Sequence, residues 1–175
     1  MQFNIAPIPG GCDWTFYLNA TTADYTTRFG APPQRRILAL PRHVSAAARR
    51  QVDQAAETHL PAEQTAIVHA TTTRMAVPVM DITPPTTMVW PVGRGHAVLL
   101  GDALAPVRPH TARGANNGIE QAAGLAAALT QHRKHAADLA GALNGWQRRY
   151  LPAAVAAVRL GPVIGGRLGL GTRRA

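Results

Sequence analysis

The segment 97-AVLLGDALAPVRPHTARGANNGIEQAAGLAAAL-129 contains the strongest structural signals of this sequence. The apolar run over 96–100 has the length and composition typical of a strand that is buried on both faces of a sheet. Asp102 comes just after this run, and open α/β sheets bind ligands outside the carboxyl ends of their strands. A proline-containing loop then leads through Gly114 into a long Ala/Leu helix. The sequence thus puts Asp102 at a position where such sheets bind ligands.

The residue types in this segment suit a polyhydroxylated ligand. The carboxylate of Asp102 can accept charge-assisted hydrogen bonds from the hydroxyl groups of a sugar or polyol. A helix that begins near Gly114 presents unpaired N–H groups and the positive end of its dipole. Gly114, Ala115 and Gly118 would let a flat ligand approach the backbone. Spacing alone leaves a simpler alternative open, in which Asp102 caps the next turn and the glycines only shape a loop.

The composition narrows the class of protein. The 175 residues suffice for one domain or parts of two, and 46% of them are hydrophobic, which favours a folded core. The net charge of +9 is compatible with nucleic acid, an anionic membrane or a phosphate-bearing ligand. The arginines are scattered and no RNA-binding or helix-turn-helix signature occurs, so we expect no nucleic acid partner. A single cysteine excludes an internal disulfide framework and a cysteine-based zinc cluster, and we expect no metal.

No apolar run approaches the ~20 residues of a membrane span, and the N-terminus does not resemble a signal peptide. We therefore expect a cytoplasmic protein with no membrane association. The lone cysteine, Cys12, is expected to be a small, half-buried thiol.

The rest of the chain predicts a mixture of strands and helices. β-forming residues on both sides of Gly10-Gly11 predict two strands in residues 1–20. Ser45 suits the N-cap of a helix that ends at Leu60, before Pro61. The chain from residue 21 to 82 is expected to form a loop over 21–41 and, apart from the helix already described, two short β-like runs in 65–82 with His69 in the first. Further along, we expect helices over about 118–132 and 136–158, with a break or kink at Pro152, and a poorly ordered glycine-rich tail over 161–175.

The central segment resembles a known motif. The tripeptide Gly101-Asp102-Ala103, the prolines at 106 and 109 and the run 114–122 are similar to the second flavin-binding motif of the single-component FAD-dependent aromatic hydroxylases. The form RPHTARG over 108–114 is similar to that of the 2,6-dihydroxypyridine hydroxylases. Upstream, WTFYLNA, LPAEQTAIVHATT and MDI occur in the order of that subgroup. The sequence departs from the family pattern at four positions. Ala105 replaces His, Ala112 and Arg113 replace Gly and Gln, and Gln121 replaces Asp.

The resemblance implies an α+β fold in two parts. Residues 1–92 would form a partial substrate-binding domain of sheet and helix. Residues 93–175 would supply the last strand and the C-terminal helices of an FAD-binding α/β domain, with a glycine-rich tail. In that arrangement the strand at Val98–Leu100 would lie beside parallel strands from an N-terminal half of the enzyme, so we expect a partner surface there.

The resemblance also implies the roles of individual residues. Asp102 would bind a hydroxyl group of the flavin ribityl chain, and Pro109 would lie near the reactive face of the ring. Gly114, Ala115 and Asn116 would contact the pyrimidine edge of the ring. The full set of implied cofactor-binding residues is Gly101, Asp102, Pro109, Thr111, Ala112, Arg113, Gly114, Ala115 and Asn116. No catalytic residue is identified; histidine is a residue type suited to proton transfer, but we favour a structural role for His110.

The implied activity is that of an FAD- and NAD(P)H-dependent monooxygenase that hydroxylates an aromatic or N-heteroaromatic ring. These enzymes bind the ADP half of FAD through a GxGxxG turn, and this sequence contains none. We therefore expect a C-terminal segment that functions only with a separately encoded N-terminal flavoprotein half. Alone, it should bind FAD weakly or not at all. A truncated, non-catalytic remnant is the first alternative, and a basic binding module is the second.

Overall fold

A computed structural model describes residues 1–135 and 138–171 of the chain. The chain forms two compact units, Met1–Pro78 and Val79–Ala175. Both contain helices together with a small antiparallel sheet, which confirms the expected mixture of the α+β class. The observed boundary lies between Pro78 and Val79, whereas the predicted one, between residues 92 and 93, falls within a β-hairpin of the second unit. The assignment of the two parts to substrate and flavin binding stays a prediction.

The first unit begins with the predicted hairpin. Strands β1 (Gln2–Ile8) and β2 (Gly11–Tyr17) pair antiparallel, with Ile8 opposite Gly11, and Gly10 in the turn has a φ of 79°. Because side chains alternate along a strand, Phe3, Trp14 and Phe16 share one face of the hairpin, and their rings pack at centroid distances of 5.7 and 5.8 Å. Cys12 is exposed, so the expectation of a half-buried thiol is wrong.

Two helices follow the hairpin. The loop expected over 21–41 is partly wrong, because α1 (Thr22–Phe29) forms there between a Thr21–Asp24 capping box and Gly30, which adopts the left-handed conformation at the C-cap. Helix α2 (Ala46–His59) confirms the prediction, and the Ser45 hydroxyl accepts a hydrogen bond from the N–H of Ala48.

The first of the β-like runs expected over 65–82 is wrong, since α3 (Ala62–Ala70) covers it and includes His69. The buried side chain of Val68 and the contacts of Arg74 account for this difference. The Arg74 guanidinium donates to the carbonyl oxygens of Val68 and Thr71 at 2.6 and 2.9 Å and pairs with Asp53 at 2.8 Å. These tertiary contacts stabilise the end of a helix that contains β-branched residues. His69 itself lies 3.4 Å from Glu57. In the second run Ala76 forms an isolated antiparallel β-bridge with Ala39.

The second unit begins with another hairpin, β3 (Val89–Val92) and β4 (Gly95–Val98). Gly93, with a φ of 57°, lies in its two-residue turn, which returns the chain antiparallel. Only Val98 of the predicted strand Val98–Leu100 belongs to β4, and Leu99 is 40% exposed. The expected burial on both faces is therefore wrong. The buried core of this unit consists of Met88, Leu104, Ala105, Trp146, Ala154 and Val158.

Two long helices complete the second unit. Helix α4 (Gly114–His135) starts earlier than residue 118, and Tyr150 of α5 (Leu139–Arg167) packs directly over Gly124. The expected break at Pro152 is absent, because α5 continues through it; Pro152 is exposed, and packing of the buried face offsets the hydrogen bond that the proline removes.

The expectation of a poorly ordered tail is wrong for residues 161–167, which are helical. Beyond them the chain closes α5 with a Schellman motif, in which the N–H groups of Gly169 and Leu170 donate to the carbonyls of Gly166 and Gly165 at 3.2 and 2.7 Å. The last part of the predicted tail, residues 172–175, lies outside the described residues.

Candidate functional site

The connection between β4 and α4, together with the first turn of α4, contains all nine predicted site residues, and Gly101 in this connection contacts Gly118 of the helix. Gly101 has a φ of 56° and opens a short 3₁₀ turn, Gly101–Ala103. A Cβ atom added at Gly118 would lie 3.5 Å from the α-carbon of Gly101. The backbone of the connection therefore lies in van der Waals contact with the first turns of α4.

A buried glutamine fixes this contact. Gln121 is only 2% exposed, and its side-chain oxygen accepts a hydrogen bond of 2.7 Å from the N–H of Gly101. Its backbone carbonyl accepts another, of 2.9 Å, from the indole of Trp146. In the sequence Gln121 stood out only as a departure from the family pattern. A signal was present, because Asn117 and Gln121 are polar residues four positions apart that both lie on the buried face of α4.

Asp102 lies beside the beginning of α4. A Cβ atom added at Gly114 would lie 3.4 Å from Oδ1 of Asp102, so the absence of a side chain at Gly114 leaves room for the carboxylate. Asp102 is exposed, and its carboxylate makes no hydrogen bond or ion pair with any residue that the structure describes. The alternative in which Asp102 caps the following turn is therefore wrong. The carboxylate is available to an external donor.

The N-terminus of α4 offers hydrogen-bond donors. Ala112 adopts the left-handed conformation with a φ of 53°, which turns the chain into the helix. The carbonyl of Arg113 accepts the first helical hydrogen bond, from the N–H of Asn117 at 2.9 Å. Within residues 1–135 and 138–171, no acceptor binds the N–H groups at the three helical positions before it, Gly114, Ala115 and Asn116. The donors and the carboxylate of Asp102 thus occur at the same end of the helix.

The residues over 108–113 connect these two features. The N–H of Ala112 donates to the carbonyl of Pro109 at 3.0 Å, and the hydroxyl of Thr111 accepts a hydrogen bond of 3.3 Å from the N–H of Arg113. Pro109, Ala112 and Arg113 are exposed. Among the described contacts, none joins Pro109 or Arg113 to Asp102. His110 packs against α5, with Nε2 3.2 Å from the carbonyl of Gly161, which supports the structural role that we favoured for it.

The described residues offer neither a metal-binding cluster nor a membrane-spanning helix. Over 1–135 and 138–171, His, Cys, Asp and Glu side chains form no group of three that could hold a metal ion. In the same ranges, no helix combines the length and the apolar character that crossing a bilayer requires.

The solved structures that resemble this chain are FAD-dependent monooxygenases, whereas no protein family and no curated protein matches its sequence. The first is the crystal structure of PqsL, a probable FAD-dependent monooxygenase from Pseudomonas aeruginosa, with a TM-score of 0.52 and 26% sequence identity. A second structure, PqsL in complex with 2-aminobenzoylacetate, matches with a TM-score of 0.51 and 27% identity. Each alignment covers 75% of this chain and 34% of PqsL. The chain is thus similar to about a third of a flavin monooxygenase.

Proposed function

We propose that this chain supplies the ribityl and ring contacts for FAD in a monooxygenase that uses NAD(P)H and hydroxylates an aromatic or N-heteroaromatic ring. The observation that carries the proposal is the exposed, unpaired carboxylate of Asp102 beside the open N-terminus of α4. The similarity to PqsL supports the flavin class. The complex of PqsL with 2-aminobenzoylacetate supports an aromatic substrate, and the dihydroxypyridine-like substrate class follows from the motif over 108–114.

The residues present fit a flavin. A ribityl chain offers hydroxyl donors, and Asp102 is an acceptor without a competing partner. The pyrimidine edge of the ring offers carbonyl acceptors and carries negative charge when the flavin is reduced. The carbonyl acceptors and the negative charge of the ring both suit the start of α4, which offers its positive dipole end and the N–H groups of Gly114, Ala115 and Asn116. When bound, FAD supplies the redox and oxygen chemistry, and the protein supplies binding, orientation and electrostatics.

The other predicted residues shape this site. Gln121 and the Gly101–Gly118 contact hold the turn that carries Asp102, so the backbone of this turn does not have to be ordered when the ligand arrives. Pro109, Thr111, Ala112 and Arg113 would lie along the ring by resemblance to the family. Arg113 is exposed at the start of α4 and adds positive charge next to the donors.

The proposal includes a partner polypeptide. This sequence has no GxGxxG turn for the ADP half of FAD, and we propose that an N-terminal flavoprotein half supplies it. Without it, the contacts of this chain must offset the whole entropy of association, and we expect weak binding. A submicromolar affinity of the chain alone for FAD would contradict this part of the proposal. Because the chain spans about a third of PqsL, a non-catalytic remnant is the alternative outcome.

The test is protein-detected NMR of the full chain with riboflavin, FAD and ADP as separate probes, because this method detects weak binding. We expect riboflavin and FAD to shift the amide signals of Gly114, Ala115 and Asn116 alike, whereas ADP leaves them unchanged. Asp102→Asn should weaken riboflavin binding by about tenfold or more, since a charge-assisted hydrogen bond is lost (~1.5–3 kcal/mol). Glu120→Gln, which neutralises an exposed carboxylate farther along α4, is the matched control. No shift at these amides, or equal binding by Asp102→Asn, would refute the site.

A further inference from the structure

The side chain of Arg108 makes an unusually complete set of contacts for a residue in a loop. Its Nε and Nη2 atoms donate to Oδ1 and Oδ2 of Asp81 at 2.7 and 2.6 Å, and Nη1 donates to the carbonyl of Leu170 at 3.3 Å. Only 14% of the side chain is exposed. The hydrogen bonds to Asp81 raise the pKa of Arg108 above its usual range. All three guanidinium nitrogens are therefore bound, and the planar group is held in one orientation.

Three glycines form the slot in which this side chain lies. A Cβ atom added at Gly161 would lie 3.1 Å from Cγ of Arg108, and one at Gly171 would lie 3.0 Å from Nη1. At Gly165 it would overlap Nη1. Gly166, the next residue of α5, has nothing within 4 Å of the same position. The three glycines that contact Arg108 thus differ from Gly166, which makes no such contact, and the slot fits this side chain.

A short series of hydrogen bonds links Arg108 to the start of α4. The hydroxyl of Thr111 donates to the carbonyl of Arg108 at 2.8 Å and accepts from the N–H of Arg113 at 3.3 Å. Arg113 in turn accepts the first hydrogen bond of the helix, from Asn117. Between them Ala112 adopts a left-handed backbone, a conformation that an alanine keeps only when its surroundings impose it. A fixed Arg108 provides such surroundings.

We infer that Arg108 is a positioning residue, which together with Asp81 and the glycine slot of α5 sets the direction of the free N–H groups of Gly114, Ala115 and Asn116. The consequence for flavin binding rests on the proposed function, but the positioning itself does not. The C-terminal half of α5 thereby contributes to a binding loop that it does not itself belong to.

The test compares the full chain with Arg108→Lys, which keeps the charge but loses the fork that binds both oxygens of Asp81. Without any flavin, we expect the amide signals of residues 114–116 to shift and hydrogen exchange of Asn117 to accelerate by about tenfold or more, the effect of losing a charge-assisted pair. Amides of the β3–β4 hairpin should be unchanged. Gly165→Ala, which displaces the guanidinium, should reproduce these changes, and Gly166→Ala should not.

Adding riboflavin separates the two proposals. If riboflavin binds the unmodified chain and Arg108→Lys equally well, with the amides of 114–116 unchanged, the positioning role is refuted. Uniform changes over the whole second unit would also refute it, because they indicate general destabilisation. If the amides of 114–116 move as expected but riboflavin binds neither protein, the positioning role stands and the proposed function fails.

Discussion

Replacing Gly165 and Gly166 by alanine, one at a time, tests whether the glycines of α5 are packing positions or only helix-weakening residues. Both lie in the last turn of the same helix, and neither has a positive φ. Gly165 is buried against Arg108 and the carbonyl of Leu170, whereas Gly166 is exposed and has no atom within 4 Å of a Cβ position. The two substitutions are chemically identical, so any difference between them arises from the surroundings.

The expected changes in the free energy of unfolding have opposite signs. Alanine is favoured over glycine in a helix, so Gly166→Ala should stabilise the protein by roughly 0.5–1 kcal/mol. At Gly165 the same gain is outweighed, because the new methyl group overlaps Arg108 and lies 3.0 Å from the Leu170 carbonyl oxygen. Forcing extra volume into a packed site costs about 1–3 kcal/mol, and losing the hydrogen bond from Arg108 adds to this. We expect the two variants to differ by roughly 2–4 kcal/mol.

Urea unfolding of the full chain, followed by far-UV circular dichroism and tryptophan fluorescence, measures this difference. Trp90 and Trp146 report on the second unit, and Trp14 reports on the first. The midpoint should rise for Gly166→Ala and fall for Gly165→Ala, with the slope unchanged. If both variants gained stability equally, Arg108 could not occupy the slot described above.

Two further predictions concern single hydrogen-bonding groups. Gln121→Leu removes the acceptor of the Gly101 N–H and should lower the free energy of unfolding in urea by about 1–3 kcal/mol. Gln131→Leu, at an exposed position of α4, should change it little, and equal effects of the two substitutions would contradict the role of Gln121. Hydrogen bonds from the N–H and hydroxyl of Thr21 lower the pKa of Asp24 below its ordinary 3.8. These bonds therefore stabilise α1 fully above pH 3.8, and the stabilisation is lost as the pH falls through the lowered pKa of Asp24. The amide signal of Thr21 should follow this titration, and a signal that does not change on acidification would exclude the capping box.

The residues of the candidate site could be predicted from the sequence better than the residues that hold them in place. Asp102 and the helix start at Gly114 were identifiable because an apolar run, an acidic residue and a small-residue helix entrance follow one another within 20 residues. Arg108 was not identifiable, because its partners, Asp81 and Leu170, lie 27 and 62 residues away. For Gln121 the four-residue spacing from Asn117 was a signal of a buried polar position, but its partner Gly101, 20 residues away, was not identifiable. Contacts over such distances leave no periodic signal in one sequence.

The errors in the fold have separate physical causes. Thr21 and Asp24 have the spacing of a capping box, but Gly30 and the prolines that follow it are typical of a loop, and these loop signals outnumber the signal for the short helix α1. In α3, β-branched residues suggested a strand, and the contacts of Arg74 that favour a helix are tertiary. In α5, Gly161 and Gly165 suggested disorder. In the structure both positions lack a side chain because Arg108 lies against them.

The long-range contacts of the second unit also determine when it can fold during synthesis. The side-chain oxygen of Gln147 accepts the N–H groups of Met88 and Val89, which lie 59 and 58 residues earlier in the chain. At about 5–20 residues per second, a ribosome needs roughly 3–12 seconds to produce those intervening residues. During that interval the β3 segment has been translated while its acceptor has not, and Met88 lacks the helix that later buries it. The β3 segment of the nascent chain therefore stays apolar, exposed and incompletely hydrogen-bonded until α5 is synthesised.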